Sequence, residues 1–211
     1  MKILKEHYPQ FFSGTASGLL VAIGGTVLLS VEDRTVGAVL FTVALLSICL
    51  MDLYLYTGKI GFVTESFSKK TVAELSFGLF GNFLGATLTG LIMRYARPTL
   101  IEKAAQSCTA KLSEGILRAF VLGCFCGMLM YAAVKIYREK GSVWGIVFCI
   151  PVFILSGFEH SIADMFYFAI AGMINAEYVG FIVAVVFGNS IGAVLLAALW
   201  RLKRGGRNSE K

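Results

Sequence analysis

Residues 156–165 read Ser156-Gly157-Phe158-Glu159-His160-Ser161-Ile162-Ala163-Asp164-Met165, between one apolar run that ends at Leu155 and another that begins at Met165. Three ionisable side chains, Glu159, His160 and Asp164, therefore interrupt an otherwise apolar segment. At membrane depth each costs about 2.5–3.5 kcal/mol on insertion scales, so such residues mark a pathway or a proton relay. Gly157 beside them favours a break in the helix. A break is tolerated there only where the backbone is buried in protein or lines a water-filled cavity. The rest of the chain has to fold around this stretch.

Composition agrees with a membrane setting. The chain has 211 residues, 57% hydrophobic and only 15% charged, where a soluble domain carries about 25% charge. A bilayer-spanning helix needs roughly 20 apolar residues. Six segments meet that need: 11–30, 36–66, 72–95, 114–137, 143–172 and 178–200. The predicted class is an all-α membrane protein, a single transmembrane transport domain over residues 1–211. The second and fifth segments are longer than one crossing requires, with polar residues and glycine near their middles. They are predicted to be broken helices, each of two halves joined by a short irregular loop. Lys2 and Lys5 precede the first apolar run as in a secretory signal, but the run is too long for a signal core and lacks a small-residue cleavage site. It is expected to remain as the first span.

Charge predicts orientation. Six crossings put both termini on one side. Arg34, Arg94, Arg97, Lys103 and Lys111 fall on the other side, whereas Lys69, Lys70, Lys135, Arg138, Lys140 and the basic tail fall with the termini. Positive residues favour the cytoplasmic face. Both termini are therefore expected in the cytoplasm, in the cell (inner) membrane, with Trp144 and Trp200 at the inner interface. The net charge of +6 reports topology, and the tail with Arg201, Arg204 and Arg207 reads as a lipid-headgroup patch; no nucleic-acid partner is expected.

The five cysteines do not form a metal-ligand pattern. Cys49, Cys124, Cys126 and Cys149 read as small packing residues, and Cys108, in the outer loop, as the only one open to reaction. His7 reads as interfacial. No metal or cofactor is expected.

The chain repeats itself. Phe80-Gly81-Asn82-Phe83-Leu84-Gly85-Ala86 matches Phe187-Gly188-Asn189-Ser190-Ile191-Gly192-Ala193. Each copy follows a predicted broken helix. Three spans followed by three spans place the halves in opposite orientation, an architecture in which the binding site lies at the repeat interface. The pairs Gly14–Gly18, Gly81–Gly85, Gly123–Gly127 and Gly188–Gly192 place G-x-x-x-G on the four unbroken spans, where small residues let backbones approach closely. A tight frame of four helices, holding the two broken ones inside, is expected.

The segment Gly157–Met165 closely resembles the signature of the formate/nitrite transporter family, as do Leu55-Tyr56-Thr57-Gly58 and the two F-G-N motifs. The resemblance runs over nearly the whole chain. It implies an aquaporin-like protomer within a homopentamer, each protomer with its own pore. By the same resemblance His160 matches the central pore histidine, Glu159 the neighbouring carboxylate, and Thr57 the loop threonine facing the histidine. Lys111 matches the lysine that makes the outer vestibule attractive to anions, and Asn189 the last-helix asparagine. Phe41, Leu45, Leu55, Tyr56 and Phe153 look like the apolar residues that narrow the pore on either side of the histidine. Three positions depart from the family pattern: Gly127 and Asp164, where asparagine is usual, and Lys59, where asparagine commonly follows Thr-Gly. An amphipathic amino-terminal helix found in the family is mostly missing from this chain.

The chemistry is coherent on its own terms. A small anion drawn in by Lys111 meets a narrow apolar constriction, where an unpaired charge is strongly disfavoured. Taking up a proton removes most of that cost. Histidine, with an ordinary pKa of about 6.5, is suited to giving and recovering one. Thr57 would hold the imidazole, and Glu159 would pair with Lys111 or orient the loop. Asn82 and Asn189 each also read as caps of the broken halves or helix ties, and for Asn82 that structural reading is preferred. Asp164 and Lys59 read as interface residues or as partners of each other, with no transport role. The resulting expectation is a membrane channel or transporter for small monovalent weak-acid anions of the formate, nitrite or hydrosulfide class. The alternatives are a proton-coupled carrier of short monocarboxylates of the lactate type, and an intramembrane acid–base enzyme using Glu159 and His160. No nucleophile or H-E-x-x-H motif accompanies that pair, so the chain is not expected to be an enzyme.

Overall fold

A computed structural model describes the backbone of residues 2–208 and the side chains of residues 7–203. The side chains of Lys2, Lys5, Arg204, Arg207 and Lys211 lie outside the described residues. Nine α-helices follow in order among the described residues: α1 (Lys2–Ser30), α2 (Arg34–Leu50), α3 (Tyr56–Lys59), α4 (Lys69–Ala96), α5 (Ile101–Ser113), α6 (Ile116–Lys140), α7 (Trp144–Leu155), α8 (Ser161–Ala171) and α9 (Ala176–Asn208). Short 3₁₀ turns continue α3 over Ile60–Thr64 and precede α5 at Pro98–Leu100.

Four of these helices, α1, α4, α6 and α9, are long and apolar enough to cross a membrane. They pair as α1 with α4 and α6 with α9, the two most extensive helix contacts in the molecule. Glycine makes both pairings possible. A Cβ on Gly14 or Gly18 would strike the backbone at Gly78 or Asn82, and one on Gly81 or Gly85 would strike the Phe11 or Thr15 carbonyl. In the second pair a Cβ on Gly127 would strike the Asn189 carbonyl, and those on Gly188 and Gly192 would meet the carbonyls of Phe120 and Cys124. The contacts of one pair therefore reappear in the other at matching positions. At Gly127 no side chain fits against the Asn189 carbonyl.

The remaining apolar helices are short. α2 starts at Asp33, whose carboxylate caps it by accepting from the N–H groups of Thr35 (2.7 Å) and Val36 (3.0 Å), a contribution of about 1 kcal/mol. It stops at Leu50. The chain then turns through Asp52, held at φ 48°, and is non-helical until Tyr56. In place of the expected second half-helix, α3 has only four residues before it tightens into the 3₁₀ turn. Two glycines, Gly58 and Gly61, lie too close to Val134 and the Tyr131 ring to carry a Cβ; α3 packs mainly on α6 and the 3₁₀ turn mainly on α9. In the fifth segment α7 and α8 are of similar length, separated at Gly157 (φ 69°). Every residue of α8 is buried, and it packs mainly on α4 and α5. Its C-terminus ends at Gly172 (φ 72°), beside Arg94, which donates to the Ile170 carbonyl at 2.9 Å.

His7 is buried, its ring stacked on Phe77 at 5.5 Å. Cys108 is not open to reaction. α5 turns it into the core, where it is fully buried. Burial, with Asp164 beside it, pushes its thiol up to about 12.

Candidate functional site in the helix breaks

The two breaks meet. Asn82 on α4 accepts from the Tyr56 N–H (2.8 Å) and donates to the carbonyls of Tyr54 (2.9 Å) and Gly14 (2.8 Å). Asn189 on α9 accepts from the Ser161 N–H (3.0 Å) and donates to the carbonyls of Glu159 (2.8 Å) and Gly123 (2.9 Å). Each asparagine satisfies one N–H and one carbonyl left over at a break, and ties the break to the opposite helix. Buried backbone groups without partners cost about 1–3 kcal/mol each, and these amides supply the partners. Asn189, expected along the pore, is fully buried with its amide occupied by backbone. It is a strut, the role expected of Asn82.

So anchored, the breaks bring Thr57 and His160 into contact, Thr57 Oγ1 lying 2.9 Å from His160 Nε2. The other ring nitrogen, Nδ1, caps α8 by accepting from the Ala163 N–H at 3.2 Å. An N–H can only donate, so Nδ1 is unprotonated, and the neutral ring carries its proton on Nε2, which donates to Thr57. Both nitrogens are thus committed to protein partners. Thr57, expected in a loop, belongs to the first turn of α3.

A cavity of about 530 Å³ reaches His160 from one end. It is lined by Phe41 and Phe153 next to the histidine and by Arg34, Lys111, Glu159 and Asp164 further out. Phe41 and Phe153 meet edge to face, 6.2 Å apart, and Phe153 lies 5.7 Å from the imidazole. A small pocket of about 40 Å³ enters from the other end of α2, lined by Leu45, Leu55, Gly58, Asp52, Lys59 and Arg138. No described residue lines both. Leu45 is one turn from Phe41 on the same helix, so α2 lines both cavities. Phe41, Leu45, Leu55, Phe153, Thr57 and His160 are all buried. Tyr56 lines neither cavity; its hydroxyl pairs with Ser190 Oγ at 2.7 Å.

Lys111 differs most from the expected picture. Its ammonium pairs with the Glu159 carboxylate and, at 3.1 Å, with Asp164 Oδ1. Burial opposes its charge, but Asp164 and Glu159 outweigh burial and hold the lysine well above its ordinary range. It is not a free cation in the vestibule, since two carboxylates share it. Asp164 is neither an interface residue nor a partner of Lys59. It lies inside this cluster, 1% exposed, while Lys59 pairs with Asp52 at 3.3 Å. A sequence signal for this exists: Asp164 is one turn into the helix that Glu159 and His160 precede, so all three share the same end of α8. Motif and spacing do not place Arg34 and Tyr167 in the cavity, yet both line it; Arg34 donates to the Ile154 carbonyl at 3.0 Å.

The profile of the formate/nitrite transporter family matches residues 2–202. A formate-nitrite transporter of Plasmodium vivax is 28% identical over 185 residues, covering 74% of this chain and 59% of the relative. The formate channel FocA of Haemophilus influenzae is 21% identical over 204 residues, covering 84% of this chain and 71% of the relative. The chain thus spans less than two thirds of the Plasmodium vivax relative's length. Among solved structures, one described as a pentameric formate channel with formate bound superposes with a TM-score of 0.80 at 22% identity, covering 94% of this chain and 97% of that one. That likeness concerns the fold, and the family match spans nearly the whole sequence. The chain belongs to the formate/nitrite transporter family.

Proposed function

We propose that this chain is a pore-forming subunit of a membrane channel for small monovalent weak-acid anions, of the formate, nitrite or hydrosulfide class, with the Thr57–His160 contact at the centre of its pathway. The observation that carries the reading is that contact itself. One polar, exchangeable ring lies at the end of a cavity of about 530 Å³, behind Phe41 and Phe153, with Leu45 and Leu55 beyond it. In this reading the whole chain is one transmembrane domain with six crossings. Segments α2–α3 and α7–α8 act as the second and fifth, and the halves are inverted aquaporin-like repeats. The matching glycine contacts and the matching asparagine struts support the inverted repeat. The assembly is a homopentamer in the cell (inner) membrane with both termini cytoplasmic. Exposed Phe80, Phe187 and Leu88 supply apolar surface for lipid or neighbouring subunits.

An anion entering the cavity gives up water at Phe41 and Phe153, where an unpaired charge is costly. His160 carries a proton on Nε2, and Thr57 is its partner when no substrate is present. Turning that N–H from Thr57 to the anion stabilises its charge by a hydrogen bond; the proton that neutralises the anion comes from hydronium in the vestibule, so the ring keeps its own proton and returns to Thr57 afterwards. The neutral form of the anion then crosses the Leu45 and Leu55 side.

Flux against pH in liposomes tests the reading, with formate and nitrite as probes. His160→Asn keeps hydrogen bonding but cannot titrate near the ordinary histidine pKa of about 6.5. Loss of flux or loss of its pH dependence, with assembly intact, is the expected result. Parallel curves for the two proteins would make His160 a structural residue and end the proposal.

A further inference from the structure

Three groups meet at the inner end of the vestibule: Lys111 from α5, Glu159 from the break, and Asp164 from α8. Their side chains are 18%, 4% and 1% exposed. One ammonium neutralises one carboxylate. The second carboxylate has nothing further to pair with among the described residues. Asp164 Oδ2 is buried and has no hydrogen-bond partner, whereas Oδ1 faces Lys111.

The surroundings do not supply the missing charge. From α5 the titratable neighbours are Lys111 and Cys108, and from α6 Cys126. From α8 itself comes Tyr167, and from α9 Tyr178. From the break come Glu159 and His160, the latter's two nitrogens already committed to Ala163 and Thr57. α4 brings Arg94, which is bound to the Ile170 carbonyl at the far end of α8, and α1 contributes no charged side chain to the cavity. Arg34 is held by the Ile154 carbonyl. Glu32 and Glu114 line the cavity as exposed rim residues, and Glu32 pairs there with Lys103 at 3.0 Å. Among the described residues, Lys111 is the only cation in the cluster.

We infer that Glu159 and Asp164 form a carboxyl–carboxylate pair which, with Lys111, binds one proton next to the pore histidine, and that the protonated, neutral state of this triad is the one that admits an anion. The inference rests on the proposed channel function. Two ionised carboxylates cannot both be stable beside one ammonium in a low-dielectric site, and the proton belongs to the pair rather than to either member. With the proton bound, the charges of the triad sum to zero. When the proton leaves to water in the vestibule, the triad carries one net negative charge on the anion's approach to His160. A protonated Asp164 has the shape and the donor of an asparagine, the residue the family pattern has at this position. The aspartate therefore makes titratable a site that asparagine would hold permanently neutral.

The test is formate flux into liposomes across a pH series, comparing the wild-type chain with Asp164→Asn and Glu159→Gln, each checked for assembly. Deprotonation places a unit negative charge on the lining of the cavity the anion enters, so the ratio of Asp164→Asn to wild-type flux is expected to climb roughly tenfold from acid to alkaline pH. Glu159→Gln, which also leaves one carboxylate for Lys111, should shift the profile in the same direction. An infrared band of a protonated carboxyl, present in the wild type at neutral pH and absent in both variants, is the direct signature. Wild-type flux with a pH-independent ratio, or no carboxyl band, overturns the inference and leaves the channel reading intact. Absence of wild-type flux at every pH is a failure of the channel reading instead.

Discussion

The side-chain amide of Asn189 makes the same three hydrogen bonds as that of Asn82: one accepted from a backbone N–H at a helix break, one donated to a carbonyl of the same break, and one donated to a glycine carbonyl across the helix pair. Neither side chain has any exposed surface. The consequence is a shared structural role. Asn82→Ala and Asn189→Ala should each destabilise the fold by several kcal/mol, because each strands buried backbone groups worth about 1–3 kcal/mol apiece. Thermal unfolding in detergent measures both. A stable Asn189→Ala protein with altered flux would make Asn189 a pathway residue instead.

Lys111→Ala leaves the Glu159 and Asp164 carboxylates buried without a counterion. Removing one partner of a buried ion pair costs about 3–5 kcal/mol. The triple variant Lys111→Ala/Glu159→Gln/Asp164→Asn should recover part of that loss, because no ionisable carboxyl then remains without a counterion. Acid should also relieve Lys111→Ala, since protonated carboxyls need no cation. In the wild type, Lys111 holds its proton more tightly folded than unfolded. Its contribution is therefore complete below the ordinary lysine value of 10.5 and fades as pH rises beyond it. Unfolding temperatures across a pH series check both signs.

Thr57→Val removes the hydroxyl that accepts from His160 Nε2 and leaves a buried N–H without a partner, at a cost of about 1–3 kcal/mol. Flux should fall, and Thr57→Ser should restore it, because only the hydroxyl matters to the ring. Equal flux in the valine variant would remove Thr57 from the mechanism.

Gly127→Ala should be destabilising by well over the roughly 1 kcal/mol helix-propensity advantage of alanine, because its Cβ has no space against the Asn189 carbonyl. Gly18→Ala should behave alike, since Gly18 meets Asn82 in the same way. Subunit yield and unfolding temperature are the measurements.

Cys108 should resist thiol-directed maleimide in the folded protein and react once it is unfolded. The thiolate is the reactive form, and with the thiol pushed up to about 12 almost none exists at neutral pH. Burial closes access as well. Ready labelling of the native protein at neutral pH would show that α5 opens.

Much of this architecture is legible in the amino-acid sequence alone. Apolar run length and low charge state how the chain meets its solvent, because in a bilayer the helix satisfies its own backbone polar groups. The glycine pairs announce close packing among α1, α4, α6 and α9, since spacing by four puts both residues on one helix face, but not which helix meets which. Gly157 and the polar stretch after it announce a break, as a left-handed φ and stranded backbone groups require. The family resemblance groups Phe41, Phe153 and His160, and the fold brings these three to one end of one cavity.

Tertiary structure decided the rest, because it depends on which side chains from distant segments face each other. Only the fold showed that Lys111 is shared by two carboxylates 48 and 53 positions further along the chain, so a lysine read as a lure for anions is half of a buried charge balance. Only the fold showed Asp164 in that balance, and gave Asn189 its three backbone partners. The same is true of Tyr56, which sits in the right motif but turns to Ser190, and of α3, which has only four residues. Periodicity and motif report the local backbone and one face of each helix. Ion pairing and hydrogen-bond satisfaction are settled across helices, where a single rotation exchanges one partner for another.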